Sequence, residues 1–381
     1  MRLTEINDKK FFAKQDLDGN ALFRKSIYDT IKQNRKGCVY AMEIKLICPE
    51  GGEVVSLLTQ MHKDFYKTNG NKDSTLEKFN YMNLWRQGVD HSFGEPVKFQ
   101  WECPLTATLH ISLEKDFSEY TAYNTKNNCA EVYNLMIGKT YYWRVCALDG
   151  TLSQTRYFVT EDIPPRWIKA SDSAVKTDSG RGITNIRDLG GWKCEGGKKI
   201  KQGLIFRGSE MDDHCTLTES GKNILLNDLK IKTDYDLRFS DLPSPLGDSV
   251  NLIRIPLRGT YGRISEFKEN FRDMLSVFAD ESNYPIYIHC WGGADRTGTL
   301  LFLLCALLGM SEEDLFLEYE FTSFSVWGPR SSDSELFTEF KEALSEYGTD
   351  SDDLVTKSKN FVLSTGITEE QIDKFKSILL E

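Results

Sequence analysis

The chain has 381 residues, 40% of them hydrophobic, and a formal net charge of −10. Its length predicts two or three domains, because a domain usually contains about 100–200 residues. The acidic balance argues against a protein that binds nucleic acid or anionic membranes. The nine cysteines follow no Cys-x-x-Cys spacing, so the sequence gives no support to a disulfide framework or a zinc site.

Neither end of the sequence nor its interior indicates a membrane segment. A spanning helix needs about 18–20 apolar residues in succession, and no stretch reaches that length. The first ten residues, MRLTEINDKK, lack the apolar centre of a signal peptide. We therefore predict a cytoplasmic protein without a transmembrane segment, although an exported protein whose signal has been removed would look the same.

Residues 1–95 carry no recognisable chemistry. We treat them as a region of uncertain fold that joins the sandwich domain after it. Residues 22–32 are compatible with a short helix, and residues 39–47 and 54–60 with strands. The polar tract TNGNKDST at residues 68–75 predicts a loop.

Residues 96–163 alternate apolar and polar positions and are rich in aromatic side chains. This pattern predicts strands separated by turns, at residues 97–101, 106–112, 129–133, 140–148 and 155–160. Such strands are typical of an antiparallel β-sandwich. The run from Asn134 to Val145, with Trp101 upstream, resembles fibronectin type III or similar immunoglobulin-like modules. We expect Trp101 and Trp143 in its core, and the module could serve to bind a protein partner.

The prolines of residues 163–166, IPPR, predict a stiff connector and a domain boundary. Beyond it, residues 166–381 alternate between strand and helix patterns. The expected strands are residues 204–207, 233–237, 252–256 and 286–289, and the expected helices include residues 220–229 and 264–279. This alternation predicts an α/β domain with a largely parallel sheet and C-terminal helices, whose ligand binds at the carboxyl ends of the strands.

The strongest chemical signal is the segment IYIHCWGGADRTG at residues 286–298, which precedes a leucine-rich run. Its order predicts a strand, a phosphate-binding loop and a helix. Gly292 and Gly293 let the backbone turn several N–H groups toward one anion. Five residues separate Cys290 from Arg296, so the loop can encircle a phosphate while the guanidinium grips two of its oxygens.

Within this loop, Cys290 is the expected nucleophile and Arg296 the expected phosphate clamp. The arginine and the positive end of the helix should lower the cysteine pKa below its free value of about 8.5, which gives a thiolate near neutral pH. A hydroxyl hydrogen bond to the sulfur is expected from Thr297. The predicted phosphate-binding positions are Trp291, Gly292, Gly293, Ala294, Thr297 and Gly298. Each feature alone has a simpler explanation, since a lone cysteine at a strand end is usually inert.

The segment from His289 to Gly298 resembles the phosphate-binding loop of cysteine-dependent protein tyrosine phosphatases. More narrowly, it is similar to the bacterial and fungal branch of atypical tyrosine and dual-specificity phosphatases, which also contains lipid phosphatases. Further stretches resemble this branch in the same order, namely NIRDLGG at 185–191, GLIFRGS at 203–209, DYDLR at 234–238 and FVLSTGITEE at 361–370. The resemblance covers residues 166–381.

A phosphatase also needs a general acid that protonates the leaving oxygen. The resemblance implies Asp295 as the first candidate, because relatives with an aspartate before the loop arginine draw their acid from that position. Asp236, at the end of a central strand, is the second candidate. A structural salt bridge between Asp236 and Arg238 or Arg187 is an equally open interpretation.

The sequence therefore predicts a cysteine-dependent phosphomonoester hydrolase that works through a cysteinyl-phosphate, without metal or cofactor. A protein tyrosine phosphatase, with or without dual specificity, is the leading interpretation, and its substrate would be a phosphorylated protein or a small phosphomonoester. A phosphatase of phosphoinositides or inositol phosphates is the first alternative, although Ala294 stands where this branch often has a lysine. A phosphate-binding or adhesion protein with little catalysis is the second. The glycine of Arg207-Gly-Ser209 departs from the more usual Arg-Ser, which we expect to be a minor change.

Overall fold

The computed structural model describes residues 43–67, 90–125, 127–170 and 181–381. Residues 44–381 form one compact unit. The helix expected at residues 22–32 and the loop expected at residues 68–75 lie outside the described residues, as does the first part of the strand expected at residues 39–47.

Within the described residues before residue 161, eight strands form two sheets. A three-stranded sheet has the order β1-β3-β6, and a five-stranded sheet has the order β2-β8-β7-β4-β5. The strands are β1 Lys45–Cys48, β2 Glu53–Val55, β3 Val97–Glu102, β4 Ala107–Ser112, β5 Thr121–Asn124, β6 Cys129–Val132, β7 Thr140–Ala147 and β8 Arg156–Thr160. The five strands predicted between residues 97 and 160 are confirmed, and β5 was not predicted.

Aromatic side chains join these two sheets. Phe99 on β3 alternates with exposed neighbours, and its ring lies 5.2 Å from Trp143 on β7 and 5.6 Å from Phe158 on β8, between centroids. Trp101 and Trp143 are buried, as the sequence predicts. All pairings within the two sheets are antiparallel except β2 with β8. The strands predicted within residues 96–163 pair only antiparallel with one another, and the parallel neighbour β2 comes from residues 1–95, for which the sequence predicted no definite fold.

The strand expected at residues 54–60 ends early. Helix α1, Gln60–Lys67, begins where the strand was expected to finish. The hydroxyl of Thr59 accepts a hydrogen bond from the backbone N–H of His62 at 3.2 Å, a local contact that favours the start of a helix.

A six-stranded mixed sheet forms the centre of the second half, with the order β15-β14-β16-β12-β11-β9. Its strands are β9 Arg166–Trp167, β11 Arg187–Asp188, β12 Ile205–Gly208, β14 Thr233–Asp236, β15 Asn251–Arg254 and β16 Ile286–His289. Four adjacent strands are parallel and the two at one edge are antiparallel, which confirms the prediction of a largely parallel sheet. A separate parallel pair joins β10 Arg181–Gly182 to β13 Cys215–Thr216.

In the described part of the chain, seven α-helices accompany this sheet, two between its strands and five after the last strand. They are α2 Glu219–Asn223, α3 Lys268–Ser276, α4 Asp295–Leu308, α5 Glu312–Glu320, α6 Glu335–Ser345, α7 Leu354–Ser364 and α8 Glu369–Leu379. Every residue of α4 from Thr297 to Leu308 is buried, as expected for a helix that is apolar on all sides. The helix ends at Gly309, whose φ of 88° suits a left-handed C-cap. None of the helices within the described ranges is both long and apolar enough to cross a membrane.

Direct hydrogen bonds join the first two sheets to the α/β part. Gln202 exchanges two bonds of 2.9 Å with the backbone of Ile137. The Arg166 guanidinium donates to the carbonyl oxygen of Asn134 at 2.6 Å. Since Arg166 belongs to β9, the predicted connector leads directly into the edge of the central sheet. The domain boundary at residues 163–166 stays a prediction.

Candidate active site

The predicted loop lies between a central strand and a buried helix. β16 ends at His289, Cys290 follows with 3% of its surface exposed, and α4 begins at Asp295. Gly293 has a φ of 62°, and a Cβ there would lie 2.0 Å from the carbonyl oxygen of Gly208 on β12. Only a glycine combines this conformation with so close a backbone contact. The loop is therefore pressed against the end of the neighbouring strand.

Gly208 itself is more than the minor departure that the sequence suggested. A Cβ at Gly208 would lie 2.1 Å from the hydroxyl oxygen of Tyr287. That hydroxyl occupies the space and donates to the carbonyl oxygen of Ser209 at 2.8 Å. The glycine is required here because a buried tyrosine fills the position of a side chain.

Two buried side chains hold the loop by its carbonyl groups. Asn185 Nδ2 donates to the carbonyl oxygens of Gly292 and Gly293 at 3.0 and 3.3 Å. Arg207 Nη2 donates to those of Gly293 and Ala294 at 2.5 and 3.3 Å. A loop whose carbonyl oxygens are held from outside keeps its N–H groups for an anion. This arrangement fits the phosphate cradle expected from the sequence.

A buried ion cluster, made of Arg187, Arg207 and Glu318, supports these contacts. The two Glu318 carboxylate oxygens accept from Arg187 Nε at 2.8 Å and from Arg207 Nη1 at 2.6 Å, and both arginines are fully buried. Burial raises the pKa of Glu318, but the two guanidinium groups outweigh this effect and hold it below its ordinary value. Arg187 Nη1 also donates to Asn185 Oδ1 at 2.5 Å, which orients the amide toward the loop.

The surroundings of Cys290 favour the thiolate. Burial raises the pKa of the thiol, but the positive charge of Arg296 and the nearby hydroxyl and backbone N–H of Thr297 outweigh it, so that the pKa lies below its ordinary value. The preceding residue, His289, bonds Asp234 at 2.8 Å. Burial lowers the pKa of His289, yet the Asp234 carboxylate outweighs burial and raises it. The residues around the sulfur therefore favour negative charge on it.

The Arg296 guanidinium contacts Trp291 in the loop and Leu237 just after β14. Its guanidinium carbon is 5.0 Å from the centre of the Trp291 ring, and Nη1 donates to the carbonyl oxygen of Leu237 at 3.3 Å. Trp291 is 51% exposed, so its ring covers the arginine while its outer face is open to solvent. Ala294, Thr297 and Gly298 are buried beneath the loop and in the first turn of α4.

The carboxylate of Asp295 is paired with an arginine. Arg330 Nε and Nη2 donate to its two oxygens at 2.7 and 3.0 Å, and the hydroxyl of Tyr261 donates to it as well. Burial raises the pKa of Asp295, but Arg330 and Tyr261 outweigh this and lower it. In this arrangement the predicted general acid is held in its ionised form.

Asp236 is part of a second ion cluster. Arg238 Nε donates to it at 2.9 Å and Arg254 Nε at 3.1 Å, and only 1% of the aspartate is exposed. Burial raises its pKa, but Arg238 and His289 outweigh burial and lower it. These contacts favour the structural interpretation of Asp236, with Arg238 rather than Arg187 as its partner.

The structure thus brings Cys290, Arg296 and Asp295 to one end of the central sheet. Sequence reasoning missed Asn185, Arg207 and Glu318 as supports of the loop. The motifs at residues 185–191 and 203–209 contain the first two, whereas Glu318 lies outside both motifs. Residues 318–326 are buried and belong to the core. Among the described residues, no group of three or more His, Cys, Asp or Glu side chains could hold a metal ion.

Comparison with known proteins agrees with this geometry. The family model described as "Tyrosine phosphatase family" matches residues 179–381, which is more than half of the chain. The chain belongs to the tyrosine phosphatase family. The matched residues include the Cys290 loop, both motifs that support it and all helices from α2 to α8. They begin after the two sheets of the first half.

One relative is a Cupriavidus necator protein whose name assigns it provisionally to the tyrosine-protein phosphatases. It is 26% identical over 166 residues, which are 36% of this chain and 59% of the relative. The chain therefore spans about three fifths of the length of the curated relative it matches.

Two solved structures are also similar, both of the catalytic core of Siw14. One, from Saccharomyces cerevisiae and described as a PP-IP phosphatase in complex with citrate, is 22% identical, covers 42% of this chain and 94% of its own, and has a TM-score of 0.28. The other is 19% identical, covers 42% and 93%, and also has a TM-score of 0.28. Similarity at this level carries no information about the substrate of this chain.

Proposed function

We propose that this protein is a cysteine-dependent phosphomonoester hydrolase, with Cys290 as nucleophile and Arg296 as phosphate clamp. The observation that carries the proposal is the pairing of a thiol of lowered pKa with a loop whose carbonyl oxygens are bound from behind by Asn185 and Arg207. A nucleophile and an anion cradle at the same strand end are what phosphoryl transfer to sulfur requires.

The reaction has two steps. The Cys290 thiolate attacks phosphorus, a P–S bond forms, the P–O bond of the ester breaks, and the leaving oxygen takes a proton from the general acid. Water then attacks the phosphocysteine and gives a proton to the carboxylate that served as the acid, the P–S bond breaks, and inorganic phosphate leaves with the thiolate restored. Backbone N–H groups and Arg296 stabilise the charge on the phosphoryl oxygens in both steps. No metal takes part in this scheme.

Asp295 remains our candidate for the general acid. It directly precedes Arg296, and its side chain is 41% exposed, which leaves it accessible to a bound ester. Because Arg330 keeps its pKa low, Asp295 is protonated only in acid, and we expect an acidic pH optimum. Asp236 is less suitable, since Arg238 and Arg254 already occupy its carboxylate.

We propose phosphotyrosine as the substrate class. Three large apolar side chains are exposed close in sequence to the site residues, Trp291 at 51%, Phe239 at 66% and Leu242 at 52%. Phe239 directly follows Arg238, beyond the carboxyl end of β14. Aromatic and apolar surface beside a phosphate cradle favours an aryl phosphate over a highly charged inositol phosphate. Ala294, in place of a lysine, supports the same choice.

Turnover of p-nitrophenyl phosphate in EDTA, from pH 4 to 8, tests the proposal. Wild-type protein should be active, and Cys290→Ser should lose all detectable turnover. Cys305→Ser is the matched control, because burial raises the pKa of that thiol well above its ordinary value, and its rate should stay at the wild-type level. A Cys290→Ser protein with full turnover would refute the nucleophile. Tight binding of phosphotyrosine peptides without turnover by wild type would instead favour a phosphate-binding protein.

Phosphoinositides and inositol phosphates are the alternative substrates. Comparing kcat/KM for a phosphotyrosine peptide with that for a soluble inositol polyphosphate separates the two classes. Trp291→Ala removes an exposed aromatic ring beside the phosphate cradle. This variant should lower kcat/KM for the peptide more than for the inositol phosphate. The reverse order would favour the inositol substrate.

The two sheets before residue 161 form, in our proposal, a fibronectin type III-like or immunoglobulin-like sandwich that spans residues 96–163, with residues 1–95 contributing to it and the catalytic domain at residues 166–381. A protein partner for this module is part of the proposal.

We also propose a cytoplasmic location, which is supported by the cysteines of the described ranges, all of which are free thiols.

A further inference from the structure

One of the two residues that support the catalytic loop, Asn185, has a strained backbone conformation. Its φ is 61°, a left-handed conformation that is uncommon outside glycine. The residue is fully buried, and its side-chain amide holds the carbonyl oxygens of Gly292 and Gly293. Strain of this kind persists only where neighbouring contacts over-determine the conformation. The hydrogen bonds of the Asn185 backbone therefore indicate what holds the residue in this conformation.

The backbone N–H of Asn185 is held by a residue from the first half of the chain. It donates to Ser92 Oγ at 2.7 Å. Ser92 Oγ in turn donates to Asp90 Oδ1 at 2.6 Å, and the backbone N–H of Ser92 donates to the same oxygen at 3.0 Å. Because Asp90 Oδ1 accepts the one hydroxyl hydrogen of Ser92, the lone pairs of the Ser92 oxygen are left for Asn185. Thr184 Oγ1, 3.1 Å from Ser92 Oγ, completes this buried group.

The segment that carries Asp90 and Ser92 is fixed on both sides. The backbone N–H of His91 donates to the carbonyl oxygen of Phe324 at 2.9 Å, and the His91 carbonyl lies 3.0 Å from His62 Nε2. Burial lowers the pKa of His62 to about 3, so the ring is neutral. Since Thr59 N–H donates to Nδ1 at 3.4 Å, the proton resides on Nε2, which donates to His91. These hydrogen bonds fix the position of the segment that carries Asp90 and Ser92.

We propose that Asp90 and Ser92 are positioning residues for the catalytic loop and act through Asn185. The proposal rests on the proposed function of that loop. Both residues lie outside residues 179–381, the part of the chain that the family model matches. By this account, the region before the catalytic domain completes the phosphate site, in addition to any role in binding partners.

A double-mutant cycle tests this route. Ser92→Ala removes the acceptor of Asn185 N–H, and Asn185→Gly removes the amide while tolerating the positive φ. We measure kcat for p-nitrophenyl phosphate and the Kd of inorganic tungstate by calorimetry, at a temperature where every variant is folded. Ser92→Ala should reduce kcat about 10-fold and weaken tungstate binding to a similar degree, since small displacements of a catalytic group have effects of this size or larger. The double variant should be no worse than Asn185→Gly alone.

The chain offers a matched control. Ser118 and Asp116 form the same Asp-x-Ser turn, with the Ser118 N–H donating to Asp116 Oδ1 at 3.0 Å, but on an exposed part of the first half. Ser118→Ala should leave both kcat and the tungstate Kd within about twofold of wild type, as expected for a surface change. Asp90→Asn, which keeps the shape and replaces the carboxyl group by an amide, is a second variant if Ser92→Ala does not fold, and it should weaken tungstate binding measurably.

The outcomes separate this inference from the proposed function. Wild-type values for both Ser92→Ala and Asp90→Asn would overturn it, and so would a double variant whose losses equal the product of the single losses. If wild type itself has no turnover, the proposed function fails. Tungstate binding that still follows the expected pattern would then support the positioning role of Ser92 on its own.

Discussion

The two halves of the molecule bury different kinds of side chain. The sheets of the first half close over uncharged groups, with Leu109, Trp143 and Phe158 all 0% exposed. The α/β half buries Arg187, Arg207 and Glu318 beneath its loop. Apolar cores tolerate replacement by side chains of similar volume, whereas a buried ion cluster fails when one partner is removed. The difference teaches that the second half uses its interior to place charged groups, whereas the two sheets of the first half use theirs for apolar packing.

The largest effect should follow removal of Glu318. Glu318→Ala leaves two buried guanidinium groups without their carboxylate, which should lower the free energy of unfolding by about 3–5 kcal/mol. Displacement of the loop should lower kcat by about 100-fold. Denaturant unfolding and p-nitrophenyl phosphate turnover measure the two effects.

Glu320→Gln serves as the control for this variant. Glu320 is also buried on the same helix, but it accepts from the backbone and hydroxyl of Ser332. Its kcat should be unchanged. An equal loss of kcat in both variants would contradict a specific role for the ion cluster.

A smaller effect should separate stability from catalysis. Leu109 on β4 and Leu300 on α4 are both completely buried, and truncation of either to alanine should cost about 2–4 kcal/mol. Leu109→Ala should leave kcat per folded molecule unchanged, because its strand belongs to the uncharged half. Leu300→Ala should lower kcat, because α4 begins at the loop. Equal kcat losses, measured below both melting midpoints, would show that the two halves do not differ in this way.

The smallest effect concerns pH alone. Arg330 lowers the pKa of Asp295, so Arg330→Gln should raise that pKa. If Asp295 is the acid, it then stays protonated to higher pH, and the alkaline limb of kcat/KM moves upward by about one pH unit or more. Arg263→Gln, on an exposed arginine paired with Glu266, should leave the profile unchanged. A limb that does not move in Arg330→Gln would mean that Asp295 is not the acid.

Sequence patterns predicted the parts of the site that are local in the chain. The strand, the cysteine, the glycine turn and the helix follow one another within residues 286–308, and their periodicity and turn chemistry are visible without any partner. The strand at Ile286–His289 was predicted with its observed bounds. The sequence left two roles open for Asp236, general acid or member of a structural salt bridge. Its partner Arg254 lies on an adjacent strand, which a local pattern does not show.

The supports of the loop could not be predicted from local patterns. Glu318 meets Arg187 across 131 positions of sequence, and Ser92 meets Asn185 across 93. The residues around Glu318 in the sequence do not distinguish a buried carboxylate that binds two arginines from an ordinary carboxylate on the surface of a helix. Thr59 and the Asp-x-Ser turn at Asp90 did carry local signals, for a helix start and a tight turn, but neither signal indicates what the segment contacts.

The buried ion cluster has a consequence for ionic strength. Two guanidinium groups and one carboxylate leave one net positive charge behind the anion site, in a region that mobile ions do not enter. Dissolved salt screens exposed charges over about 8–10 Å but screens buried ones much less. The attraction between this cluster and a bound phosphate should therefore persist in concentrated salt, even though the acidic exterior of the protein, with its net charge of −10, repels anions most strongly when salt is low.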